Sequence, residues 1–308
     1  MRHALATILV AGLLAGSALA QTAPASAPAS ASGVPMAVFA DPAPDAAHPA
    51  GLAEVQIISH GASMNAVVLT PSGAGPHPAL LLFHGFPGNE QNLDLAQAAR
   101  RQGWVVLTLH YRGSWGSKGD FSFTHVIEDG QSAYDWLRAP AQVARFRIDP
   151  TTIVVGGHSM GGMVAVRTAG ANPGIRGTLL LDAWNPGLQA KAMLDGRAPR
   201  EDVSIRFALN TPPLSGTSAA ALAAEYWANT EPFDLTNQAT ALAGRPVLML
   251  SASRALGPLN RALAASLTSA GAKALTAHEW ETDHSFNDHR IKLIGTSLSW
   301  LQQFEAKR

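Results

Sequence analysis

From Ala53 onward, short apolar runs alternate with segments whose apolar residues recur at helical spacing. The runs Ala79–Phe83, Val105–Leu109, Ile153–Val155, Thr178–Leu181, Val247–Leu250 and Ala274–Glu279 predict strands. The segments Leu93–Arg101, Val126–Arg138, Met160–Ala171, Leu259–Ala270 and His289–Phe304 predict helices. In the last of these, Ile291, Ile294, Leu298 and Leu301 fall on one face. Ahead of them, Glu54–Ile58 and Asn65–Leu69 predict two more strands joined by a hairpin turn at His60-Gly61-Ala62. Short strands that stay apolar at every position are buried on both faces, which a parallel sheet between two helix layers provides. The expected fold class is α/β, with an eight-stranded, mostly parallel sheet flanked by helices.

Two stretches break the alternation. Residues 183–235 carry Trp184, Pro186, Pro199, Pro212, Pro213, Trp227 and Pro232 between the sixth and seventh sheet strands. A connection of that length usually has structure or a function of its own, so a cap over the sheet is expected there. At the other end, Arg2 and His3 precede an apolar run from Ala4 to Leu14, and Ala18-Leu19-Ala20 offers a small-x-small cleavage site. That pattern predicts a signal peptide over residues 1–20, because the run is short of the roughly 20 apolar residues of a membrane span. Residues 21–50 are rich in Ala, Pro and Ser and lack periodic apolar spacing, which predicts an extended linker. The expected domain is then 51–308, in an exported protein that is periplasmic or secreted and has no stable membrane span after cleavage.

Composition narrows the chemistry. Hydrophobic residues make up 47% of the 308, enough for a large core. Lys+Arg and Asp+Glu both number 22, and no basic stripe is present, so nucleic acid is not an expected partner. The absence of cysteine excludes disulfides, a thiol nucleophile and a lipidated N-terminal Cys. The 11 histidines lack His-x-x-x-His and His-Glu-x-x-His spacing, and Gly156-Gly157 belongs to another motif, so neither a metal nor a cofactor is expected.

Three segments carry chemistry. In Thr152–Met163 an apolar strand runs into Gly157-His158-Ser159-Met160-Gly161 and then a small-residue helix. A nucleophilic serine needs that arrangement: a sharp turn that exposes its hydroxyl, small flanking residues that permit the turn, and a helix N-terminus to support negative charge. In Leu80–Gly88 a strand ends in His84-Gly85-Phe86-Pro87-Gly88. There the Phe86 N–H is the expected oxyanion donor, paired with the Met160 N–H, since Pro87 has none to give. His84 is expected to shape this loop. Between the last strand and helix lies Glu281-Thr282-Asp283-His284-Ser285-Phe286, where His284 is the expected general base. His278, inside a strand candidate, and His289, at the last helix, compete less well.

Together these segments resemble the α/β-hydrolase superfamily over roughly Glu54 to Phe304. The His84–Gly88 loop, Tyr111-Arg112-Gly113-Ser114-Trp115-Gly116 and Asp283-His284-Ser285-Phe286 are similar to its dienelactone-hydrolase-like and prolyl-oligopeptidase-like branches. The resemblance implies hydrolysis of an ester, thioester or amide of a small-molecule acyl substrate through an acyl-enzyme on Ser159. It also suggests Tyr111 as a substrate contact, with loop packing and an Arg112 ion pair as the competing reading.

The acid is where the pattern departs. The superfamily usually carries an Asp after the seventh strand, but here Ser251-Ala252-Ser253-Arg254 follows. Asp182, ending the sixth-strand run, is the expected substitute. Asp283 is very near His284 in sequence, and Asp288 fits a helix start. The remaining reading is that no acid is present, which would leave the imidazole tautomer unsupported. A carboxylic ester is the favoured substrate. A prolyl-oligopeptidase-like peptidase and a non-catalytic binding protein with the same fold are the alternatives.

Overall fold

The computed structural model of the protein describes residues 33–305. The signal peptide expected over 1–20, and the linker up to residue 32, lie outside the described residues. Residues 33–50 run along the domain surface. Ala37 and Val38 pack against its core, and the Ala37 carbonyl accepts a hydrogen bond from Arg101 Nε at 2.7 Å.

Eight strands form one sheet: β1 (Gly51–Ser59), β2 (Ala62–Thr70), β3 (His77–Phe83), β4 (Val105–Leu109), β5 (Ile148–His158), β6 (Gly177–Leu181), β7 (Val247–Ala252) and β8 (Leu275–Trp280). Their spatial order is β1-β2-β4-β3-β5-β6-β7-β8. The β1–β2 and β2–β4 pairs are antiparallel and all others parallel. β1 and β2 join through His60 and Gly61, both at positive φ (47° and 82°), the twist a two-residue hairpin demands. At the edge β1 alternates, burying Val55, Ile57 and Ser59 while Glu54, Gln56 and Ile58 face out. The central strands β4 and β6 are buried at every position, the reason their sequences show no alternation.

The helices are α1 (Leu93–Gln102), α2 (Phe123–Arg138), α3 (Pro140–Phe146), α4 (Met160–Ala171), α5 (Pro186–Leu194), α6 (Val203–Ala208), α7 (Ala219–Ala228), α8 (Ala239–Leu242), α9 (Gly257–Ser269) and α10 (Arg290–Leu301). Local sequence explains several starts. The Ser122 side chain caps α2 by accepting the His125 N–H, Pro140 opens α3 where its missing N–H costs nothing, and Asn185 caps α5 just before Pro186. Helix α4 is apolar almost all round because it is covered by the sheet on one side and by α2 and α8 on others. Two core clusters, one on each face of the sheet, follow from this layering. In α10, Ile294, Leu298 and Leu301 are buried as expected, but Ile291 is exposed and Leu293 is buried instead. Ile291 sits in the first turn at the edge of the apolar stripe, beyond the reach of the core.

Helices α5, α6 and α7 fill the long connection between β6 and β7, and a bridge from Ser114 to Leu214 ties that connection to the loop after β4. The insertion therefore stands over the C-terminal ends of the central strands.

Candidate active site

Ser159 occupies the turn between β5 and α4 at φ 56° and ψ −120°. A non-glycine residue held there costs about 1–3 kcal/mol, which the surroundings must overcome. They do so with hydrogen bonds on both sides: Ser159 N–H donates to Leu181 O at 3.0 Å, and Ser159 O accepts from Gly162 and Trp184, each at 2.9 Å. The flanking glycines are forced by contact. A Cβ on Gly157 would stand 2.1 Å from Gly161 O, and one on Gly161 would stand 2.2 Å from Phe83 O. Met160 is the first residue of α4, so its N–H is among those a helix leaves without an internal partner. The loop carrying Phe86 packs directly on this turn, for a Cβ on Gly85 would lie 2.9 Å from Ser159 Cβ.

Asp182 follows β6 at φ 43° and is wholly buried. Its Oδ2 lies 2.6 Å from His284 Nδ1 and accepts the Leu256 N–H at 3.2 Å. Its Oδ1 accepts the Ala252 N–H at 3.1 Å and Asn260 Nδ2 at 3.3 Å. The carboxylate is thus held on several sides, and His284 is its one ring partner. The contact fixes Nδ1 as the protonated nitrogen and leaves Nε2 to accept a proton. His284 is 37% exposed while Asp182 is 0% exposed, so the imidazole spans from a buried anion to an open cavity.

The departure after β7 has a structural counterpart. At the end of β7 the chain supplies the Ala252 N–H, and the following turn the Leu256 N–H, both to Asp182. These backbone donors serve a carboxylate placed one strand over, where β6 and β7 run in parallel register from Thr178–Val247 to Leu181–Leu250. Arg254 points away, half-exposed, with Nη2 3.5 Å from Asp288 Oδ2.

The cavity beside these residues holds about 240 Å3 and is lined by Phe86, Ser159, Trp184, Arg206, Phe207, Asn210, Ala255, Leu256 and His284. A larger cleft of about 480 Å3 lies along β1, β2 and the start of α1, but it touches neither Ser159 nor His284. Chemistry, not size, selects the smaller one.

The structure places the other expected residues differently. Tyr111 does not line the cavity. It is fully buried, its hydroxyl donates to His84 O at 3.0 Å, and burial, reinforced by the nearby Asp129 charge, pushes its phenol well above the usual range. The expected substrate contact at Tyr111 is therefore corrected to support of the His84–Gly88 loop. Arg112 forms the competing ion pair: its Nε lies 2.5 Å from buried Asp129. Asp283 turns from His284 to accept the Asn287 N–H at 3.0 Å, the Asn287 side-chain amide at 2.9 Å and the Ser285 N–H at 3.1 Å, which hold its carboxyl below the usual range. Asp288 accepts from the Thr282 hydroxyl. His289 stands just before α10 and not within it, and His278 lies in β8.

One residue carried no signal in the sequence beyond filling the variable place in Gly-x-Ser-x-Gly. His158 lies 2.8 Å through Nε2 from the His284 carbonyl, and the two rings are 4.5 Å apart. A carbonyl only accepts, so His158 Nε2 carries the proton and ties the His284 loop to the serine turn. Burial pushes its pKa down to about 3, and His284 adds to the shift. His84, as expected, shapes its loop. It bonds Gly85 O through Nδ1 at 2.7 Å, and burial lowers its pKa to about 4. Trp184, Arg206, Phe207 and Asn210 reach the cavity from the insertion, and no local spacing foretells that.

A strand–turn–helix serine with a buried carboxylate–imidazole pair at the sheet's C-terminal edge defines an α/β protein of the hydrolase class. The chain belongs to the alpha/beta hydrolase family, whose model matches residues 80–303. Over 92 residues it is 30% identical to the lysophosphatidylserine lipase ABHD12 of Danio rerio; the match covers 29% of this chain and only 22% of that lipase. In structure it is similar to the carboxylesterase EstE1, cloned from a metagenomic library, with TM-score 0.61 and 17% identity, over 84% of this chain and 91% of the esterase. It is also similar to the acylaminoacyl peptidase of Pyrococcus horikoshii, with TM-score 0.62 and 14% identity, over 84% of this chain and 42% of the peptidase. Among the described residues, no helix is long and apolar enough to cross a membrane.

Proposed function

We propose that the protein is an exported serine hydrolase that cleaves a small carboxylic ester through an acyl-enzyme on Ser159. The observation that carries this reading is the 2.6 Å contact of buried Asp182 with His284 Nδ1, in a ring that shares a cavity with Ser159. In the proposed sequence Ser159 Oγ bonds to the acyl carbon as its proton passes to His284 Nε2. The carbonyl π electrons move onto oxygen, and the Phe86 and Met160 N–H groups receive that charge. Collapse of the intermediate breaks the acyl–oxygen bond, and His284 returns the proton to the leaving alcohol. Water then repeats the steps, releasing the carboxylic acid and restoring the Ser159 hydroxyl.

An ester is favoured over a peptide because about 240 Å3 is small beside the roughly 300–1,000 Å3 of sites for drug-sized ligands. Export rests on the N-terminal sequence pattern. A fluorophosphonate probe should label the folded protein and spare Ser159→Ala. Failure to label would favour a binding protein that keeps the fold, and labelling of Ser159→Ala would move the nucleophile. Asp182→Asn should lower ester turnover by about a thousandfold or more, by analogy with loss of the acid in a well-studied triad. Turnover equal to wild type would remove Asp182 from the mechanism.

A further inference from the structure

The cavity beside Ser159 is mostly apolar, yet one permanent charge faces it. Arg206, on α6, is the only Lys or Arg among its lining residues, and no Asp or Glu is among them. Asp182 is wholly buried behind His284. A positive charge at the wall of an aromatic cavity, with no anion lining that cavity, calls for an anion from outside.

The partners of Arg206 within the protein leave that role open. Nη1 is 4.0 Å from Glu201 Oε2, beyond hydrogen-bond distance, in a pair whose side chains are 40% and 58% exposed. Nη2 is buried and has no hydrogen-bond partner of normal geometry among the described residues. Tyr226 engages one side of the guanidinium: its hydroxyl, 3.3 Å from Gln189 Oε1, also meets Arg206, while the side chain of Arg206 stays 40% exposed. By contrast, Arg245 gives hydrogen bonds to four carbonyls, and Arg112 is held by Asp129 and Glu128. The carbon end of the Arg206 guanidinium is 5.9 Å from the Trp184 ring centre and 5.4 Å from that of Phe207, both cavity residues. Those rings favour the cation's placement on the wall without consuming its in-plane donors.

We propose that the preferred substrate is an ester bearing a second, ionised carboxylate, which Arg206 binds while the ester carbonyl meets Ser159. This rests on the serine-hydrolase reading and names its substrate class. A carboxylate accepts a charge-assisted N–H bond from the guanidinium where a neutral ester accepts a weaker one. The small cavity brings anion and ester within one short molecule, with the carboxylate on either the acyl or the alcohol part.

Binding tests this without requiring turnover. Ser159→Ala protein would be titrated by calorimetry with two matched pairs: monomethyl glutarate against dimethyl glutarate, and 4-acetoxybenzoate against its methyl ester. The charged member of at least one pair should bind about tenfold tighter, as one charge-assisted contact predicts. A preference in the glutarate pair puts the carboxylate on the acyl part; one in the benzoate pair puts it on the alcohol part. Adding Arg206→Gln should bring the members of each pair within about twofold, while Arg206→Lys retains part of the preference. Equal affinities within both pairs, or a preference that survives Arg206→Gln in a protein of unchanged thermal midpoint, would overturn the proposal. Fluorophosphonate labelling of the unmutated chain tests the hydrolase reading separately, so the two failures are told apart.

Discussion

Acidification should destabilise this protein well before its carboxylates titrate, because of two histidines packed beside the serine turn. His84 and His158 are 3% exposed, and burial pushes their pKa values from 6.5 to about 4 and about 3. His110 is lowered by burial as well. In the unfolded chain all three return to about 6.5. Below that value the unfolded state binds protons that the folded state refuses, so stability falls as pH falls. The contribution of each neutral ring is fully present above about pH 6.5 and is lost as pH drops toward the folded value. At about pH 5, some 1.5 units below the unfolded value, each of His84 and His158 should account for a loss of about 2 kcal/mol, at about 1.4 kcal/mol per unit. Together that is about 4 kcal/mol, a large part of the ~5–15 kcal/mol that holds a typical domain. Urea unfolding between about pH 7.5 and about pH 5 measures it, a window above the range where depressed carboxylates act. His158→Gln keeps an N–H donor within reach of His284 O and removes the titrating ring, so it should lose about 2 kcal/mol less than wild type over the same interval. A flat stability profile, or a profile in His158→Gln that parallels wild type, would refute the assignment of buried neutral imidazoles.

Two further substitutions test the scaffold around the site. Gly85→Ala would place a Cβ 2.9 Å from Ser159 Cβ and 3.1 Å from His158 Nδ1, pushing the Phe86 loop off the serine turn. Ester kcat should fall by about a hundredfold or more, as loss of an oxyanion donor does, and an unchanged kcat would argue against Phe86 as donor. Asp129→Ala would leave Arg112 buried without its fully buried anion and remove the acceptor of Ser59 Oγ at 2.6 Å. That should cost about 3–5 kcal/mol, seen as a lower thermal midpoint, and a shift under about 1 kcal/mol would mean that Glu128 alone sustains Arg112.

What the sequence alone determined is what local pattern encodes. Unbroken apolar runs such as Val105–Leu109 mark strands buried on both faces, and the glycines around Ser159 mark a turn too tight for a Cβ. The loops of His84 and His284 could be read because each follows a strand whose end lies at one edge of a parallel sheet. The choice among Asp182, Asp283 and Asp288 depended on tertiary structure. Asp182 and His284 are 102 residues apart, and only the side-by-side placement of β6, β7 and β8 brings carboxylate, ring and the Ala252 and Leu256 N–H groups together. Tyr111 shows the same limit: its motif marks a loop near the site, but whether its ring meets substrate or core depends on the neighbours packed against it. The cavity wall supplied by Trp184, Arg206, Phe207 and Asn210 is likewise a product of tertiary packing, since helices in a long insertion are positioned by what they cover and not by their own spacing.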